Sequence, residues 1–280
     1  MSYLRRHMKT TLFRRNLISS LFIAALLSTA GCDTIGPLVL QSSDVSIDAY
    51  EALSREWVRW SVSTPYADSP INDVTGELCG VGQPDGVWFL AATYGGQVER
   101  DCTIPANTPL FFPLLNTFNV PSDAWAEANY DYYVNTLAPN YLADTRAKTC
   151  ELTLRIDGED LLEDTAALDA ELWVAVTEPF SVELADDNWW NNNGFTKPGG
   201  AYGYAVVGGH WALFKPLSPG DHTLEFGGKT CNGEAVAFET LAVYHLHVEH
   251  GHGNGHGHGH GNGHGNGHGH GNGHGHGHGH

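Results

Sequence analysis

The sequence predicts a mainly β protein, an antiparallel β-sandwich of jelly-roll or immunoglobulin-like type with one or two peripheral helices. Three observations support this class. Short segments of alternating apolar and polar residues recur through the second half of the chain, and Gly, Pro and Asp residues separate them. The short apolar runs "GVWFLAAT" and "TPLFFPLLN" are bounded by turn-forming residues, as buried strands are.

The alternation is clearest in "CELTLRIDG". Leu152, Leu154 and Ile156 share one face of this strand, and the polar residues between them share the other. Six further strands are predicted at a spacing of about ten residues: "ELWVAVT", "FSVEL", "YGYAVV", "HWALF", "HTLEFGG" and "AVAFETLAVYHLHV". Turns every ten or so residues are typical of a sandwich or barrel.

Two segments predict helices. In "SIDAYEALSREWVRWSV", Tyr50, Leu53, Trp57 and Trp60 recur at steps of three and four residues, and Ser46 is positioned to cap the N-terminus. We interpret this stripe as core packing rather than as a ligand site. The second segment is "PSDAWAEANYDYYVNTLAPNYLADT".

The N-terminus indicates export. A basic, acid-free stretch is followed by a short apolar run and then by "STAGC", the order found in secretory signals. The small residues ending on Cys32 resemble a bacterial lipoprotein signal, in which the cysteine becomes the lipid-modified first residue. The resemblance implies an extracytoplasmic protein of the cell envelope or surface, anchored to the membrane at Cys32. The alternative is ordinary cleavage after Ala30, which would leave Cys32 as a spare thiol.

These features divide the chain into four parts. We expect a signal peptide over residues 1–31, a tether over 32–45, the β-sandwich domain over 46–249, and a disordered Gly/His-rich segment over 250–280, which we call the Gly/His tail. All 32 acidic residues follow Cys32, against 14 − 5 = 9 Lys and Arg, so the processed chain has a formal charge of about −23. Such a surface disfavours nucleic acid as a partner and favours cations, metal ions included.

Four cysteines remain besides Cys32: Cys79, Cys102, Cys150 and Cys231. An even number in an exported chain predicts two disulfides. Three pairings are compatible with the sequence. We favour Cys79–Cys102 and Cys150–Cys231, because each would join segments predicted to be neighbouring strands. A metal site made of these cysteines is the weaker interpretation, since the sequence contains no CxxC.

The Gly/His tail is the strongest chemical signal. It holds 12 of the 17 histidines, with 15 glycines and 4 asparagines. A chain of this composition cannot form a core and predicts a flexible coil. Imidazole suits Cu²⁺, Zn²⁺ and Ni²⁺, so we expect the tail to bind these ions, with copper ahead of zinc and nickel. The alternative is a low-complexity expansion without a selected role. The candidate ligands in the tail are His250, His252, His256, His258, His260, His264, His268, His270, His274, His276, His278 and His280.

The strand that leads into the tail, "VYHLHVEH", extends this prediction. Tyr244, Leu246 and Val248 would face the core, and His245 and His247 would then lie on the opposite face, about 6.5–7 Å apart. We expect this pair to bind one ion, with His250 from the tail as a further ligand. The alternative is an exposed strand face that carries two histidines by chance. His210 and His222 are isolated and are interpreted as ordinary sheet residues.

A second candidate site is the segment "LADDNWWNNNGFTKPGGAYGY". Trp189, Trp190, Tyr202 and Tyr204, with the neighbouring amides and acids, have the composition of a glycan-binding platform. The alternative is a long loop held by a buried tryptophan.

Two stretches also carry a resemblance. "LSPGDHTLEF" is similar to the turn-into-strand phrase near the end of immunoglobulin-like bacterial sandwiches. "GQPDGVWFLAATYGGQVERDCTIPANTPLFFPLLN", together with "HWALFKPLSPGDHTLEFGG", resembles an uncharacterised family of secreted bacterial proteins. This resemblance implies the fold and the extracellular location and no activity.

The sequence favours a non-enzymatic role, because it lacks the GxSxG, HExxH, P-loop and GxGxxG motifs. The charged run Glu99, Arg100, Asp101 is interpreted as a turn or a set of salt bridges. Three functions are therefore expected in order: metal capture or buffering by an anchored surface protein, carbohydrate binding or cleavage, and a structural or adhesive role.

Overall fold

The computed structural model describes residues 38–39, 45–162 and 170–251. Over these residues the chain forms a mainly β fold of two five-stranded sheets packed face to face, so the predicted β-sandwich is confirmed. The predicted signal peptide, Cys32 and nearly all of the Gly/His tail lie outside the described residues.

Sheet I comprises β1 (Leu38–Val39), β2 (Trp88–Phe89), β4 (Leu110–Asn119), β7 (Trp173–Leu184) and β8 (Gly200–Phe214). Sheet II comprises β3 (Gly96–Ile104), β5 (Thr149–Ile156), β6 (Glu159–Asp160), β9 (Gly220–Asn232) and β10 (Ala235–Val248). The strand order in sheet I is β1–β8–β4–β2, and β7 pairs with β8 on the same edge as β1, farther from the end of β8. The strand order in sheet II is β3–β10–β9–β5–β6.

The sheets differ from the prediction in two respects. The pairs β2–β4 and β3–β10 are parallel, whereas the other pairs are antiparallel, so each sheet is mixed. Residues 38–39, expected in the tether, form β1 and pair with the end of β8. The hydroxyl of Tyr50 donates to the Val39 carbonyl and ties β1 to the first helix.

Both predicted helical segments are helical. The first is α1 (Ile47–Ser63), and the Ser46 hydroxyl accepts from the Ala49 amide at 3.3 Å, as a helix N-cap does. The second contains α2 (Asp123–Ala128), α3 (Tyr130–Tyr132), a π-helical turn (Tyr133–Leu137) and α4 (Ala138–Lys148). A short helix, α5 (Trp189–Asn192), lies in the candidate glycan segment.

Sheet I is covered on both faces. Its inner face packs on sheet II and, beside it, on the helices from α3 to α4. Its outer face packs on α1, where Tyr50, Trp57 and Trp60 are buried as the apolar stripe predicts. Sheet II is covered on one face, and its outer face carries the polar residues of β3, β5, β9 and β10. The exposed histidines of β10 therefore belong to an open sheet surface.

Strand β8 merges two predicted strands, "YGYAVV" and "HWALF". The glycine pair between them, Gly208 and Gly209, was expected to form a turn, but it is extended and part of β8. Neighbouring groups approach both glycines too closely for a larger residue. A Cβ on Gly209 would lie 2.7 Å from the Asn116 Cβ, and one on Gly208 would lie 3.2 Å from the Leu142 Cβ. Glycine is required here for packing rather than for a turn. Strand β7 likewise joins "ELWVAVT" and "FSVEL" through irregular pairing around residues 176–180.

The charged run lies within strand β3, so the predicted turn is wrong. The alternative, salt bridges, holds for Glu99, which pairs with His245 at 2.7 Å. Arg100 points inward and is 1 % exposed. Its guanidinium donates to the Tyr244 hydroxyl at 2.8 Å and to four main-chain carbonyl oxygens. These carbonyls belong to Ile71, Asp73, Ala91 and Ala92.

The two disulfides have the pairing that the sequence favours. Cys79 bonds Cys102, with Cα atoms 6.0 Å apart, and Cys150 bonds Cys231, with Cα atoms 5.8 Å apart. The first joins the long segment before β2 to β3, and the second joins neighbouring strands β5 and β9. Both lie in sheet II or at its edge.

We predict that Arg100→Met strongly destabilises the protein. The substitution leaves several buried carbonyl oxygens without a donor, and each costs about 1–3 kcal/mol, so the free energy of unfolding should fall by at least about 3 kcal/mol. Urea unfolding at neutral pH measures the loss.

Arg155→Met is the matched control, because Arg155 lies on the exposed face of β5, with its side chain 46 % exposed, and makes surface ion pairs with Asp160 and Glu225. It should change stability by about 1 kcal/mol or less. Equal losses for the two variants would contradict the role assigned to Arg100.

Candidate functional site

The open face of sheet II presents the two predicted histidines of β10. Tyr244, Leu246 and Val248 are each 1 % exposed and face the core, as the alternation predicts. The side chains of His245 and His247 are 43 % and 59 % exposed on the opposite face. They are the last strand residues on this face before residue 250, which begins the Gly/His tail.

Each histidine contacts a carboxylate from a different neighbouring strand. His247 Nδ1 lies 2.7 Å from Asp221 Oδ1 on β9, its direct partner in the strand register. His245 Nε2 lies 2.7 Å from Glu99 Oε1 on β3, which is two residues from Asp101, the direct register partner of His245. Because β3 and β9 flank β10 on opposite sides, the two histidines contact carboxylates on opposite sides of β10.

This arrangement supplies two separate histidine–carboxylate pairs. Within residues 38–39, 45–162 and 170–251, no group of three or more His, Cys, Asp or Glu side chains is arranged to hold a metal ion. His250 is exposed, and the eleven candidate ligands from His252 to His280 lie beyond the described residues. The coordination of one ion by His245, His247 and His250 therefore remains a prediction.

A third histidine, His222, lies in a cluster that the sequence did not single out as chemical. Its Nδ1 is 2.8 Å from Asp157 Oδ2, and its Nε2 is 3.1 Å from Ser218 Oγ. These are the three residue types of a serine hydrolase triad. However, His222 Nε2 also lies 2.9 Å from the Ser218 carbonyl oxygen, which can only accept a hydrogen bond.

Acceptors on both ring nitrogens favour the protonated imidazolium. Partial burial acts to lower the pKa of His222, but the hydrogen bonds to Asp157 and to the Ser218 carbonyl, with the charges of Asp157 and Asp221, raise that pKa above its usual value. A general base needs a free lone pair on Nε2, so we assign this cluster to structure. It joins the turn before β9 to the turn after β5.

The local sequence explains how Asp157 is held in position to contact His222. Asp157 adopts a left-handed conformation, with φ of 52°, in the turn Asp157–Gly158. Its second oxygen accepts from the Thr223 amide at 2.8 Å. Partial burial acts to raise the pKa of Asp157, but the hydrogen bonds from His222 and Thr223 lower it. The "SPGDH" phrase thus forms the turn that leads into β9.

The four aromatic residues of the candidate glycan platform are not arranged on one flat face. Trp190 and Tyr202 flank the Lys197 ammonium, with ring centroids 5.1 and 4.7 Å from Nζ. Tyr204 meets Tyr130 edge to face at 6.1 Å. The Lys197 ammonium also donates to the Val120 carbonyl and pins the loop to the end of β4.

Trp189 stacks on two other aromatic rings instead. Its ring centroid is 4.9 Å from that of Tyr94 and 6.3 Å from that of Phe195. Phe195, which is not among the predicted platform residues, is 59 % exposed. Asn188 organises this loop: its buried side chain caps α5 through the Asn191 amide.

The fold and its disulfides define the class of the protein as a disulfide-linked β-sandwich of an oxidising, extracytoplasmic compartment. In the part of the chain that the structure describes, none of the helices has the length and apolar character needed to cross a bilayer. Comparison with protein-family models, curated proteins and solved structures found no match to this chain.

We predict that His222 stabilises the protein in a pH-dependent way. Because its pKa is raised in the folded state, its contribution is fully present below about pH 6.5, the value in an unfolded chain. The contribution is lost as the pH rises through the folded pKa. Relative to the parent protein, His222→Gln should lose about 1 kcal/mol at pH 5.5 and less at pH 8.5, measured by urea unfolding.

His245→Gln serves as the control, since His245 is on the open sheet face and its surface substitution should shift stability by less than about 0.5 kcal/mol. If the loss of unfolding free energy caused by His222→Gln grew with rising pH, a stabilising role for protonated His222 would be excluded.

Proposed function

We propose that this protein is an exported, lipid-anchored surface protein whose Gly/His tail captures or buffers transition-metal ions. The anchor is Cys32, and the ions are Cu²⁺, Zn²⁺ or Ni²⁺. The carrying observation is the density of histidine, 12 residues between positions 250 and 280, placed directly after a strand that exposes two more.

The ligand chemistry supports this assignment. Neutral imidazole binds Zn²⁺ at about 2.0–2.1 Å, and borderline ligands of this type also suit Cu²⁺ and Ni²⁺. A repeat in which every second residue is glycine can bring three or four imidazoles to an ion without a preformed cavity. At that ratio, residues 250–280 hold about three or four ions.

His245 and His247 offer a point at which the first ion can bind. Their positions on one strand face are fixed, at a spacing of about 6.5–7 Å, which is close enough for two imidazoles to reach one ion by rotation of their side chains. The contacts to Glu99 and Asp221 compete with the ion for the same ring nitrogens. A third ligand from the tail completes such a site.

The charge of the domain favours the same class of ligand. A formal charge of about −23 raises the local concentration of cations at the surface. This contribution should weaken as salt is added, because the screening length falls to about 8 Å at physiological ionic strength.

Carbohydrate binding is the second candidate. The exposed ring of Phe195, stacked on Trp189 beside the exposed amides of Asn191, Asn192 and Asn193, supports it. Retention on polysaccharide columns, with Phe195→Ala and Trp190→Ala as variants, tests it. Loss of retention with the first variant alone would place a glycan on the Phe195 ring.

We predict that the tail carries most of the metal binding. In calorimetry with Cu²⁺, Zn²⁺ and Ni²⁺, a chain ending at Glu249 should lose about three or four equivalents relative to the full chain. His245→Gln with His247→Gln in the full chain is the control and should remove one equivalent at most. Equal binding by the full and shortened chains, or no binding tighter than about 100 μM by either, would contradict the proposal.

We also predict a steep loss of metal binding in acid. Metal coordination requires neutral imidazole, whose usual pKa is about 6.5, so Zn²⁺ binding should collapse below about pH 6. Calorimetric titrations at pH 5, 6, 7 and 8 measure this. Undiminished binding at pH 5 would point to carboxylate ligands instead.

A further inference from the structure

The strand registers place the beginning and the end of the sandwich domain at one pole of the molecule. Leu38 of β1 pairs with Phe214, the last residue of β8, which also pairs with Leu110. Val248 of β10 pairs with Ile104 of β3 and with Gly220 of β9. We call this end of the sandwich the entry pole.

The two sheets share this pole because short turns connect them there. Residues 105–109 join β3 to β4, and residues 215–219 join β8 to β9. The opposite pole contains the other strand ends, where Asn232 pairs with Ala235 and Leu184 pairs with Gly200. A strand of 14 residues such as β10 spans about 45 Å, which is the approximate separation of the two poles.

The chain length between Cys32 and β1 restricts where a membrane can lie. Leu38 follows Cys32 by six residues, which reach at most about 20 Å. That reach is less than half the separation of the poles, and β1 is fixed in sheet I by its pairing and by the Tyr50 contact to Val39. A lipid group on Cys32 therefore holds the entry pole next to the bilayer.

The turns at the entry pole carry little charge of their own. Residues 105–109 and 215–219 contain no acidic residue and one lysine, Lys215. Acidic side chains nevertheless lie near both poles, since Glu249 directly follows β10 and its amide donates to the Ile104 carbonyl at the entry pole. The length of chain between Cys32 and β1, and not the distribution of charge, therefore carries the orientation.

We propose that the entry pole faces the lipid bilayer and that the Gly/His tail begins in this membrane-proximal zone. The inference rests on the proposed anchor and metal-binding function, and it adds the place where the metal is held. His250 and Gly251, the first residues of the tail, leave the domain beside Asn107, at the same pole. Ions held by His245, His247 and the first histidines of the tail would therefore lie nearer the bilayer than the opposite pole does.

Energy transfer to labelled lipid tests the orientation. Ser218→Cys places a fluorophore at the entry pole, and Glu234→Cys places one at the tip of the β9–β10 hairpin. Both positions are exposed. In the lipidated, oxidised full chain the introduced thiol is the free one, since Cys32 is acylated and the other four cysteines are in disulfides. Pro105→Cys is a second entry-pole variant if the Ser218 variant fails to fold.

The proteins are incorporated into vesicles of phosphatidylethanolamine and phosphatidylglycerol that carry an acceptor on the headgroup. We expect transfer from residue 218 to exceed that from residue 234 several-fold. Equal or reversed efficiencies would overturn the orientation. Failure of the parent protein to float with vesicles, as expected for the Cys32→Ser control, would overturn the anchor and this inference while leaving the calorimetric test of metal binding unaffected.

Quenching by bound Cu²⁺ tests the position of the tail. Because this quenching acts over short distances, saturating the tail with Cu²⁺ should dim the fluorophore at residue 218 and leave the one at residue 234 nearly unchanged. A chain ending at Glu249 should show neither effect. Equal quenching at both positions would show that the ions are not confined to the entry pole.

Discussion

The buried guanidinium of Arg100 is the interaction on which the arrangement of the domain depends. A cation removed from water requires other polar groups in place of its hydration, and here four carbonyl oxygens and the Tyr244 hydroxyl supply them. The carbonyls belong to two stretches of chain with little regular structure. Arg100 therefore fixes these stretches against β3 and β10 and determines where the parallel pair of strands can form.

The Cys79–Cys102 disulfide strengthens the same region covalently. Cys102 follows Arg100 by two residues on β3, so both side chains point to the same side of the sheet and reach the same long segment before β2. Tyr244 connects this region to the core, because its ring stacks on Phe226 at 5.7 Å while its hydroxyl meets Arg100. The hydrogen bonds and the disulfide together hold a segment that would otherwise lack a partner.

Strand alternation predicts the buried faces correctly, and it also accounts for the burial of Arg100. Val98 and Cys102 flank Arg100 at steps of two, so the period of a strand places the arginine inward with them. The charge of "VERD" suggested a turn or a set of salt bridges, because buried arginines are rare. The glycine pair in β8 was predicted to turn, because glycine is common in turns. Only the close approach of Asn116 and Leu142 in the folded protein shows that these glycines are needed in an extended strand.

In the candidate site, the local sequence predicts which β10 residues face outward, whereas the strand register determines which carboxylates they meet. The inward and outward faces of β10 follow from "YHLHV" alone, and the structure places Tyr244 and His245 accordingly. The carboxylates that meet the two histidines come from β3 and β9, and Glu99 is 146 residues away in the chain. No local spacing encodes such a pairing. The same holds for Asp157 and His222, which are brought together by two turns at one pole.

In the proposed metal function, the entropy cost of ordering the tail is weighed against the use of histidines that β10 already holds in place. Ordering a glycine-rich chain around an ion opposes binding by about 1–2 kcal/mol for each residue fixed, whereas His245 and His247 are already held by β10. An ion that starts on the strand and recruits ligands from the first residues of the tail would fix fewer residues than one bound wholly within the repeat. The ring contacts with Glu99 and Asp221 must be exchanged in return, and those contacts are exposed and individually weak. The proposed first site for a captured ion is therefore the end of β10, which lies at the entry pole.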